Sequence, residues 1–220
     1  MNDVWGIVVA GGQGERFGEP KQFLPLGDAR MIDHAVNAIS NACDAVVVVL
    51  PAGTLWDGAE VARSVPGGES RAASVRAGLA VVPDDAEIVV VHDAARPLAA
   101  PPLFRAVIEA VRAGADGAVP GLPVTDTVKR VDGDLVIETV AREGLTRVQT
   151  PQAFRATCLR SAHATEPDAT DDAGLVEAAG AKVVVVPGDE RNLKITTADD
   201  LVVAAALLAS SGLPPVGNER

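Results

Sequence analysis

The alternation between short apolar runs and helical patterns limits the fold of this chain more than any other feature of its sequence. The apolar runs are short and rich in valine, which is typical of strands that are buried on both faces of a sheet. Helical patterns between such strands favour right-handed crossovers, so we predict an α/β fold with a mostly parallel sheet flanked by helices. Strands are expected at residues 4–10, 45–50, 87–91, 116–120 and 182–186.

Helices are predicted from the spacing of apolar residues and from residue types that commonly begin a helix. Asp28, Thr170 and Thr197 are expected to cap three helices through their side-chain oxygens, and Pro101 suits a first helical turn. The polar segment 147–154 is expected to be extended but irregular. Helices are expected at residues 29–41, 55–61, 101–113, 155–164, 171–179 and 198–209, with one more that ends at Leu79.

A glycine-rich turn directly follows the first apolar run. Glycines allow positive φ angles and bring backbone N–H groups close to a ligand, and such groups bind phosphate. A tight turn alone needs no arginine or lysine, whereas Arg16 and Lys21 would add positive charge where phosphate charge builds up. We therefore expect a phosphate-binding loop rather than a purely structural turn. Its expected ligand contacts are Ala10, Gly11, Gly12, Gly14, Arg16 and Lys21.

The spacing of this turn excludes two common phosphate loops. The segment from Gly12 to Phe17 lacks the third glycine of the dinucleotide-binding fingerprint, and the expected acidic residue after Leu50 is missing. Both observations count against a nicotinamide-dependent dehydrogenase. The turn also lacks a Gly-Lys-Ser or Gly-Lys-Thr sequence, so it is not a Walker A loop.

Length and composition favour one cytoplasmic domain over residues 1–220 that binds neither nucleic acid nor membranes. The chain has 220 residues, which suits a single large α/β domain. Its formal net charge of −11 argues against binding to nucleic acid or to an anionic membrane surface. Cys43 and Cys158 are too few for a zinc site or a disulfide framework and are expected to be buried. The sequence contains neither a signal-type segment nor a membrane-spanning run, which favours the cytoplasm.

A β-hairpin is predicted shortly after the middle of the chain. Two strand-like segments lie on either side of Asp132-Gly133-Asp134, and an Asp-Gly turn is a strong hairpin signal. An isolated hairpin is only marginally stable in water, so it should pack on its own domain or on a second subunit. We expect the second arrangement, with residues at about 123–147 forming an arm in a symmetric homodimer.

Six short motifs follow one another along the chain. They are Ala10-Gly-Gly-x-Gly-x-Arg16-x-Gly18-x-Pro-Lys21-Gln, Gly67-Gly-x-x-Arg71-x-x-Ser74, His92-Asp-Ala-Ala-Arg-Pro97, Thr125-Asp-Thr-Val-Lys129, Thr150-Pro-Gln152 and Asn192-Leu-Lys194. In this order they resemble the 2-C-methyl-D-erythritol 4-phosphate cytidylyltransferases, and the resemblance extends from Val4 to about Leu208. Gly11 and Glu69 stand where many members have alanine and aspartate, and glycine should be tolerated while glutamate keeps the carboxylate.

The resemblance implies a Rossmann-like nucleotidyltransferase fold and a homodimer formed through the β-arm. It also implies a reaction of the non-mevalonate isoprenoid pathway, in which CTP and 2-C-methyl-D-erythritol 4-phosphate give 4-diphosphocytidyl-2-C-methyl-D-erythritol and pyrophosphate. Mg²⁺ is the implied cofactor, and CTP phosphates are expected to hold most of it, with Asp93 close by. A phosphate monoester is already nucleophilic near neutral pH, so the reaction needs no serine, cysteine or histidine nucleophile.

The resemblance also implies roles for four cations, three in these motifs and one, Arg142, at the end of the hairpin. Arg16 and Lys21 would stabilise the pentacoordinate α-phosphate, while Arg142 and Lys194 would position the sugar phosphate. If the arm reaches a second subunit, Thr127 and Arg142 would act in the neighbour's site.

The remaining motif residues are expected around the nucleotide and the metal. The loop around Glu69 resembles a cytosine-reading loop, although Ser70 could simply cap a helix there. Asp93 could bind Mg²⁺, hold substrate hydroxyls or orient Lys194, and Arg96 could reach the substrate across the dimer or pair with an acid. The expected contacts are Gly68, Glu69, Ser74, Asp93, Ala94, Arg96 and Thr127.

Two other functions stay open from the sequence. A ribitol 5-phosphate cytidylyltransferase would share the glycine-rich loop and a similar His-Asp-Ala turn. Ala95, together with Thr127 and Arg142, favours methylerythritol phosphate as the substrate. A nucleotide-binding module without catalysis is disfavoured, because Lys194 and both loop cations are present.

Overall fold

An eight-stranded sheet forms the centre of the chain in a computed structural model that describes residues 3–12, 20–165 and 169–210. Two further pairs of strands lie outside this sheet. The strands are β1 (Val4–Val9), β2 (Pro25–Leu26), β3 (Ala29–Arg30), β4 (Ala45–Leu50), β5 (Arg63–Pro66), β6 (Ile88–Asp93), β7 (Gly117–Pro123), β8 (Val128–Asp132), β9 (Leu135–Val140), β10 (Thr146–Val148), β11 (Gln152–Arg155) and β12 (Val183–Pro187). The helices are α1 (Met31–Ser40), α2 (Arg71–Leu79), α3 (Pro101–Arg112), α4 (Ala156–His163), α5 (Asp172–Ala178) and α6 (Ala198–Ser210).

The central sheet is mostly parallel, which confirms the predicted fold class. Its strands run in the order β10-β7-β11-β6-β1-β4-β5, and β12 also pairs with β7. The pairs of β1 with β4 and β6, of β4 with β5 and of β7 with β12 are all parallel. Only β10 and β11 run antiparallel to their neighbours.

Helices cover both faces of this sheet, because strand residues alternate between two separate groups of core contacts. On one face Val4 and Val8 of β1 pack with side chains of α1 and α3. On the other face Trp5 and Ile7 pack with side chains of α2, α4 and α5. A smaller cluster joins α6 to the β2–β3 pair and contains the fully buried Ile195.

Three helix predictions were wrong in detail. Helix α1 begins at Met31 because Gly27, with a φ of 66°, turns the chain between β2 and β3; its cap is therefore Arg30 and not Asp28. Helix α5 is capped by Asp171 rather than Thr170, since the Asp171 carboxylate accepts a hydrogen bond from Gly174. No helix forms at 55–61, which is irregular and leads into β5. The cap of α6 is confirmed, because the Thr197 hydroxyl accepts from the backbone of Asp200.

The segment 147–154 is more regular than its sequence indicated. It contains the end of β10 and most of β11, which pairs antiparallel with both β6 and β7. These strands have only three and four residues and lack an apolar run, so their partners rather than their own pattern determine the structure. Strand β12 is less buried than predicted, with Val185 59% exposed, and Cys43 and Cys158 are half-buried rather than fully buried.

The predicted hairpin is confirmed. Strands β8 and β9 pair with each other and form a separate two-stranded sheet. Arg130 and Glu138 face each other in the hairpin and form an ion pair of 2.6 Å. Four apolar residues near the turn are between 53% and 67% exposed, namely Val131, Leu135, Val136 and Ile137. Within the described residues, none of the helices has the length and apolar character that crossing a membrane requires.

Candidate active site

The motif loops converge at one edge of the sheet because of its topology. Parallel strands β1, β5 and β6 all end at this edge, and the antiparallel β11 begins there. Ligands of open α/β sheets bind beyond the carboxyl ends of their strands. The loops after Val9, Pro66 and Asp93 and the segment before Gln152 therefore surround a common space.

A buried glutamine ties the glycine-rich turn to the residue that follows the turn. The Gln22 carboxamide donates to the carbonyl oxygens of Ala10 at 2.7 Å and Gly12 at 3.0 Å. Gln22 belongs to a short 3₁₀ turn that begins with Lys21. The position of Lys21 relative to the start of the glycine turn is thus fixed by its neighbour. Gly14 and Arg16 lie outside the described residues.

Lys21 also contacts the far end of the chain. Its ammonium group donates a 2.7 Å hydrogen bond to the carbonyl oxygen of Ile195, directly after Lys194. The Ile195 side chain is fully buried against α6, so this carbonyl lies on a firmly packed segment. The structure therefore brings together Lys21 and the Lys194 segment, two features of the predicted site.

The glycine turn and the Gly67–Ser74 loop approach each other closely around one serine. A Cβ atom on Gly11 would lie 2.9 Å from the Ser74 hydroxyl oxygen, and one on Gly67 would lie 2.8 Å from it. Glycine is needed at Gly67 for this approach, because its Cβ would also lie 3.2 Å from the Cα of Gly11. Gly68 and Glu69 beside it are exposed and accessible to a ligand. The capping role of Ser70 is confirmed, since its hydroxyl accepts from the backbone of Ala73 at 3.2 Å.

Asp93 lies between two cations at the end of β6. Its two carboxylate oxygens accept from Lys194 at 2.7 Å and from Arg71 at 3.0 Å. Burial alone would raise the pKa of Asp93, but the charges and hydrogen bonds of Arg71 and Lys194 hold it well below its usual range. Of the three roles left open for Asp93, the geometry shows the orientation of Lys194.

Arg71 continues this line of charges into the interior. Its guanidinium group also donates to Asp172 at 2.7 Å, and the Asp172 side chain is 0% exposed. The second oxygen of Asp172 lies 3.0 Å from Nε2 of the buried His163. Burial disfavours the charged guanidinium, yet the two carboxylates outweigh it and raise the pKa of Arg71 further.

Main-chain hydrogen bonds hold the segment that carries Lys194. Arg96 donates to the carbonyl oxygen of Asn192 at 2.8 Å and to that of Val148 at 3.5 Å, rather than to an acidic side chain. The Asn192 amide in turn donates to the carbonyl oxygen of Thr150 at 2.9 Å. The backbone N–H of Ile195 donates to the carbonyl oxygen of Ala95 at 2.8 Å. Both ends of the segment are therefore attached to the loop after β6.

His92 is a buried, neutral part of the same edge. Its Nε2 lies 3.2 Å from the carbonyl oxygen of Arg96, which can only accept, so Nε2 carries the hydrogen. Its Nδ1 then accepts from the Thr150 hydroxyl, whose oxygen accepts from the backbone N–H of Asp93. Burial lowers the pKa of His92 to about 4. His92 thus anchors Thr150 and is not available as a general base.

Arg142 and Thr127 lie near the hairpin rather than in the loops that follow Val9, Pro66 and Asp93. Arg142 follows β9 and donates to the carbonyl oxygen of Thr125, and Thr127 is exposed between β7 and β8. A cavity of about 440 Å³ lies beside Arg142. Its lining comes from residues 121–124, 142–146 and 185 and includes none of the motif loops described above. The lining of this cavity therefore comes from the segments beside the hairpin and not from the loops around Lys21 and Asp93.

Comparison with known proteins identifies the family. The sequence model of the 2-C-methyl-D-erythritol 4-phosphate cytidylyltransferases matches residues 4–210. The chain belongs to this family. A cytidylyltransferase of that name from Nocardia farcinica is 46% identical and aligns over 94% of this chain and 97% of its own length.

Solved structures agree with this assignment. The crystal structure of the Thermus thermophilus cytidylyltransferase superposes with a TM-score of 0.82 and 36% identity, over 93% of this chain and 98% of the other.

A longer relative is also similar in sequence. A bifunctional IspD/IspF enzyme of Granulibacter bethesdensis is 44% identical over 96% of this chain. The chain spans only 58% of the length of that bifunctional enzyme.

The magnesium ion that the family implies has little support from protein side chains in this site. Within residues 3–12, 20–165 and 169–210, no group of three or more histidine, cysteine, aspartate or glutamate residues is placed to hold a metal. Both oxygens of Asp93 already accept a hydrogen bond, from Arg71 and from Lys194, and its contact with Mg²⁺ stays a prediction.

Four residues that build this site received no role from the sequence. They are Gln22, Arg71, Thr150 and Asp172. The first three lie in the family motifs, so those motifs could have identified them as residues of the site. Asp172 had no such signal, because an acidic residue in a first helical turn is normally explained by the helix dipole.

Proposed function

We propose that this chain transfers the cytidylyl group of CTP to 2-C-methyl-D-erythritol 4-phosphate, in non-mevalonate isoprenoid biosynthesis. The products are 4-diphosphocytidyl-2-C-methyl-D-erythritol and pyrophosphate. Family membership supports this activity, and the observation that carries its placement is the meeting of Lys21 with the Lys194 segment beside the glycine turn. The family match does not favour ribitol 5-phosphate as the substrate.

The reaction is an in-line displacement at the α-phosphorus of CTP. A phosphate oxygen of the substrate forms the new P–O bond, and the bond to the pyrophosphate leaving group breaks. The protein supplies no nucleophile, and its task is to hold two anions together and to stabilise the charge between them. Lys21, with Arg16, meets the charge that develops on the α-phosphate.

Two cations receive the phosphate of the sugar alcohol in this proposal. Lys194 is 41% exposed and is held by Asp93, so its ammonium group lies where a ligand can reach it. Arg142 is the second cation and reaches the site from the hairpin. Gly68, Glu69 and Ser74 surround the cytosine, and the remaining predicted contacts at Ala94, Arg96 and Thr127 stay predictions.

Magnesium would be held mainly by the phosphate oxygens of CTP. Mg²⁺ keeps several waters and is commonly bound through substrate phosphates with few protein ligands. When bound, it would neutralise negative charge on the phosphates, as the ammonium group of Lys21 does in this proposal.

A homodimer joined through the hairpin completes the proposed site. The exposed apolar residues of the hairpin suit burial against a second copy, and Arg142 and Thr127 would then serve the neighbouring site. Light scattering should give twice the chain mass of 22.5 kDa, and a monomer mass would contradict this arrangement. A single domain over residues 1–220 and a cytoplasmic location stay predictions.

The release of pyrophosphate tests the proposed activity. Purified chain is incubated with CTP and Mg²⁺ and with either 2-C-methyl-D-erythritol 4-phosphate or ribitol 5-phosphate. We expect turnover with the first alcohol phosphate and little with the second. Turnover with ribitol 5-phosphate alone would overturn the substrate assignment, and no turnover with either would overturn the activity.

A further inference from the structure

Asp93 receives one bond from each of two cations, and this sharing depends on a third residue. Arg71 uses Nε for Asp93 and Nη1 for Asp172, at 3.0 and 2.7 Å. The other oxygen of Asp93 is left for Lys194, at 2.7 Å. From the site to the interior, positive and negative groups therefore alternate, in the order Lys194, Asp93, Arg71 and Asp172.

An arginine next to a carboxylate prefers to bind both of its oxygens with two nitrogens. In this structure Arg71 does not do so: Nη2, the nitrogen that would pair with Nε in such a fork, is buried and has no hydrogen-bond partner among the described residues, while Nη1 is held by Asp172. The Asp172 side chain is 0% exposed and its other oxygen is bound by His163, so it is a fixed anchor. Without that anchor, the guanidinium group could turn so that Nη2 joins Nε on Asp93 and competes with Lys194 for its second oxygen.

We propose that Asp172 is a positioning residue for Lys194, acting through Arg71 and Asp93. It keeps Arg71 from binding both oxygens of Asp93, so Lys194 is held at the site edge in an orientation that receives the phosphate of the alcohol substrate. This inference rests on the proposed function, because the role of Lys194 toward that phosphate is part of it.

The test is steady-state kinetics of Asp172→Asn, a substitution that keeps the side-chain volume but removes the charge. We expect the KM for 2-C-methyl-D-erythritol 4-phosphate to rise about tenfold, which corresponds to about 1.4 kcal/mol of lost binding, because residues in one network of contacts are coupled. The KM for CTP should change by less than about twofold, because mutations at separate sites without shared contacts have nearly independent effects. A general loss of packing would instead alter both constants.

A double-mutant cycle shows whether the effect passes through Lys194. In the Lys194→Ala background, Asp172→Asn should cost almost nothing further, because the residue that it positions is already gone. Asp44→Asn is the matched control, since Asp44 accepts a backbone hydrogen bond from Val4 at the opposite edge of the sheet. It should leave both KM values unchanged.

A second variant keeps the test valid if Asp172→Asn does not fold. His163→Leu leaves the Arg71–Asp172 pair but removes one anchor of Asp172, so the same KM should rise by a smaller factor. Additive effects of Asp172→Asn and Lys194→Ala, or an unchanged KM for the alcohol phosphate in a folded variant, would overturn the inference. An inactive wild-type chain would instead overturn the proposed function, so the two failures are distinct.

Discussion

The ammonium nitrogen of Lys21 lies 2.7 Å from the carbonyl oxygen of Ile195, a residue 174 positions later in the chain. This contact joins the loop after the first strand to the segment that carries Lys194. One cation from each end of the sequence is thereby placed at the same edge of the sheet.

Replacing Lys21 by alanine should reduce turnover sharply while the fold is retained. We expect kcat to fall by about 10²- to 10³-fold, as for the loss of one donor to transition-state charge. Lys182→Ala is a matched control, because Lys182 precedes β12 at the opposite edge, and it should leave kcat unchanged. A Lys21→Ala enzyme with near-normal kcat would refute the role of Lys21.

Replacing Arg142 by alanine should affect the alcohol phosphate and spare the nucleotide. Arg142 lies beside the hairpin and outside the motif loops, so its loss should raise the KM for 2-C-methyl-D-erythritol 4-phosphate by about tenfold or more, as for a charge-assisted contact. Binding of CTP, measured by calorimetry, should be unchanged. Weaker CTP binding in this variant would mean that Arg142 has been assigned to the wrong substrate.

The parts of the fold that the sequence predicted are those with a strong local pattern. The valine runs of β1, β4 and β6 and the Asp-Gly turn of the hairpin were recognisable because each pattern is complete within a few residues. Strand β11 was missed because Gln152–Arg155 has no such pattern and is defined by its pairing with β6 and β7. Asp171 and Thr170 both have side chains that commonly cap helices, so the sequence alone does not show which of them caps α5.

Only the site residues that lie in recognisable sequence motifs were predictable from the sequence. Lys21 was identified from its place beside the glycine-rich turn, and Asp93 and Lys194 through the family resemblance. Their approach to one another follows from the topology of the sheet. The Arg71–Asp172 pair joins residues 101 positions apart. A buried pair of this kind depends on how α2 and α5 are placed relative to each other, and no local sequence pattern indicates that placement.

Gly78 is predicted to be required for the packing of α2 on the sheet. A Cβ at this position would lie 2.7 Å from Cγ2 of Ile7 and 3.1 Å from Cγ2 of Val49, both branch methyl groups near the backbone. Gly78→Ala should therefore lower the free energy of unfolding, because overpacking costs about 1–3 kcal/mol and exceeds the gain of about 1 kcal/mol in helix propensity.

Urea denaturation measures this change. Gly12→Ala serves as the control for stability, since a Cβ at Gly12 would meet no atom of the described residues within 4 Å. It should shift the free energy of unfolding by less than about 0.5 kcal/mol. Equal or greater stability of Gly78→Ala would show that α2 can move away from the sheet at no cost.

The buried His92 predicts a loss of stability on mild acidification. Its pKa is about 4 in the folded chain, below the ordinary value of 6.5, so the unfolded chain takes up a proton first as the pH falls. The stability due to neutral His92 is complete above about pH 6.5 and is lost between about pH 6.5 and 4. Between pH 7 and 5 this amounts to about 2 kcal/mol.

Urea denaturation at these two pH values isolates the contribution of His92. The His92→Asn variant cannot take up a proton, so its free energy of unfolding should fall by about 2 kcal/mol less than that of the wild type. Equal losses in both proteins would mean that His92 is protonated as readily in the folded chain as in the unfolded one.

A crystal structure with bound CTP is the decisive measurement for the location of the reaction. We predict that the triphosphate lies against the glycine turn with Lys21 on the α-phosphate, and that the cytosine lies at Gly68, Glu69 and Ser74. Lys194 should stay on Asp93, beside the space from which the alcohol phosphate would approach the α-phosphate. CTP bound away from the glycine turn, with Lys21 directed into solvent, would contradict this account.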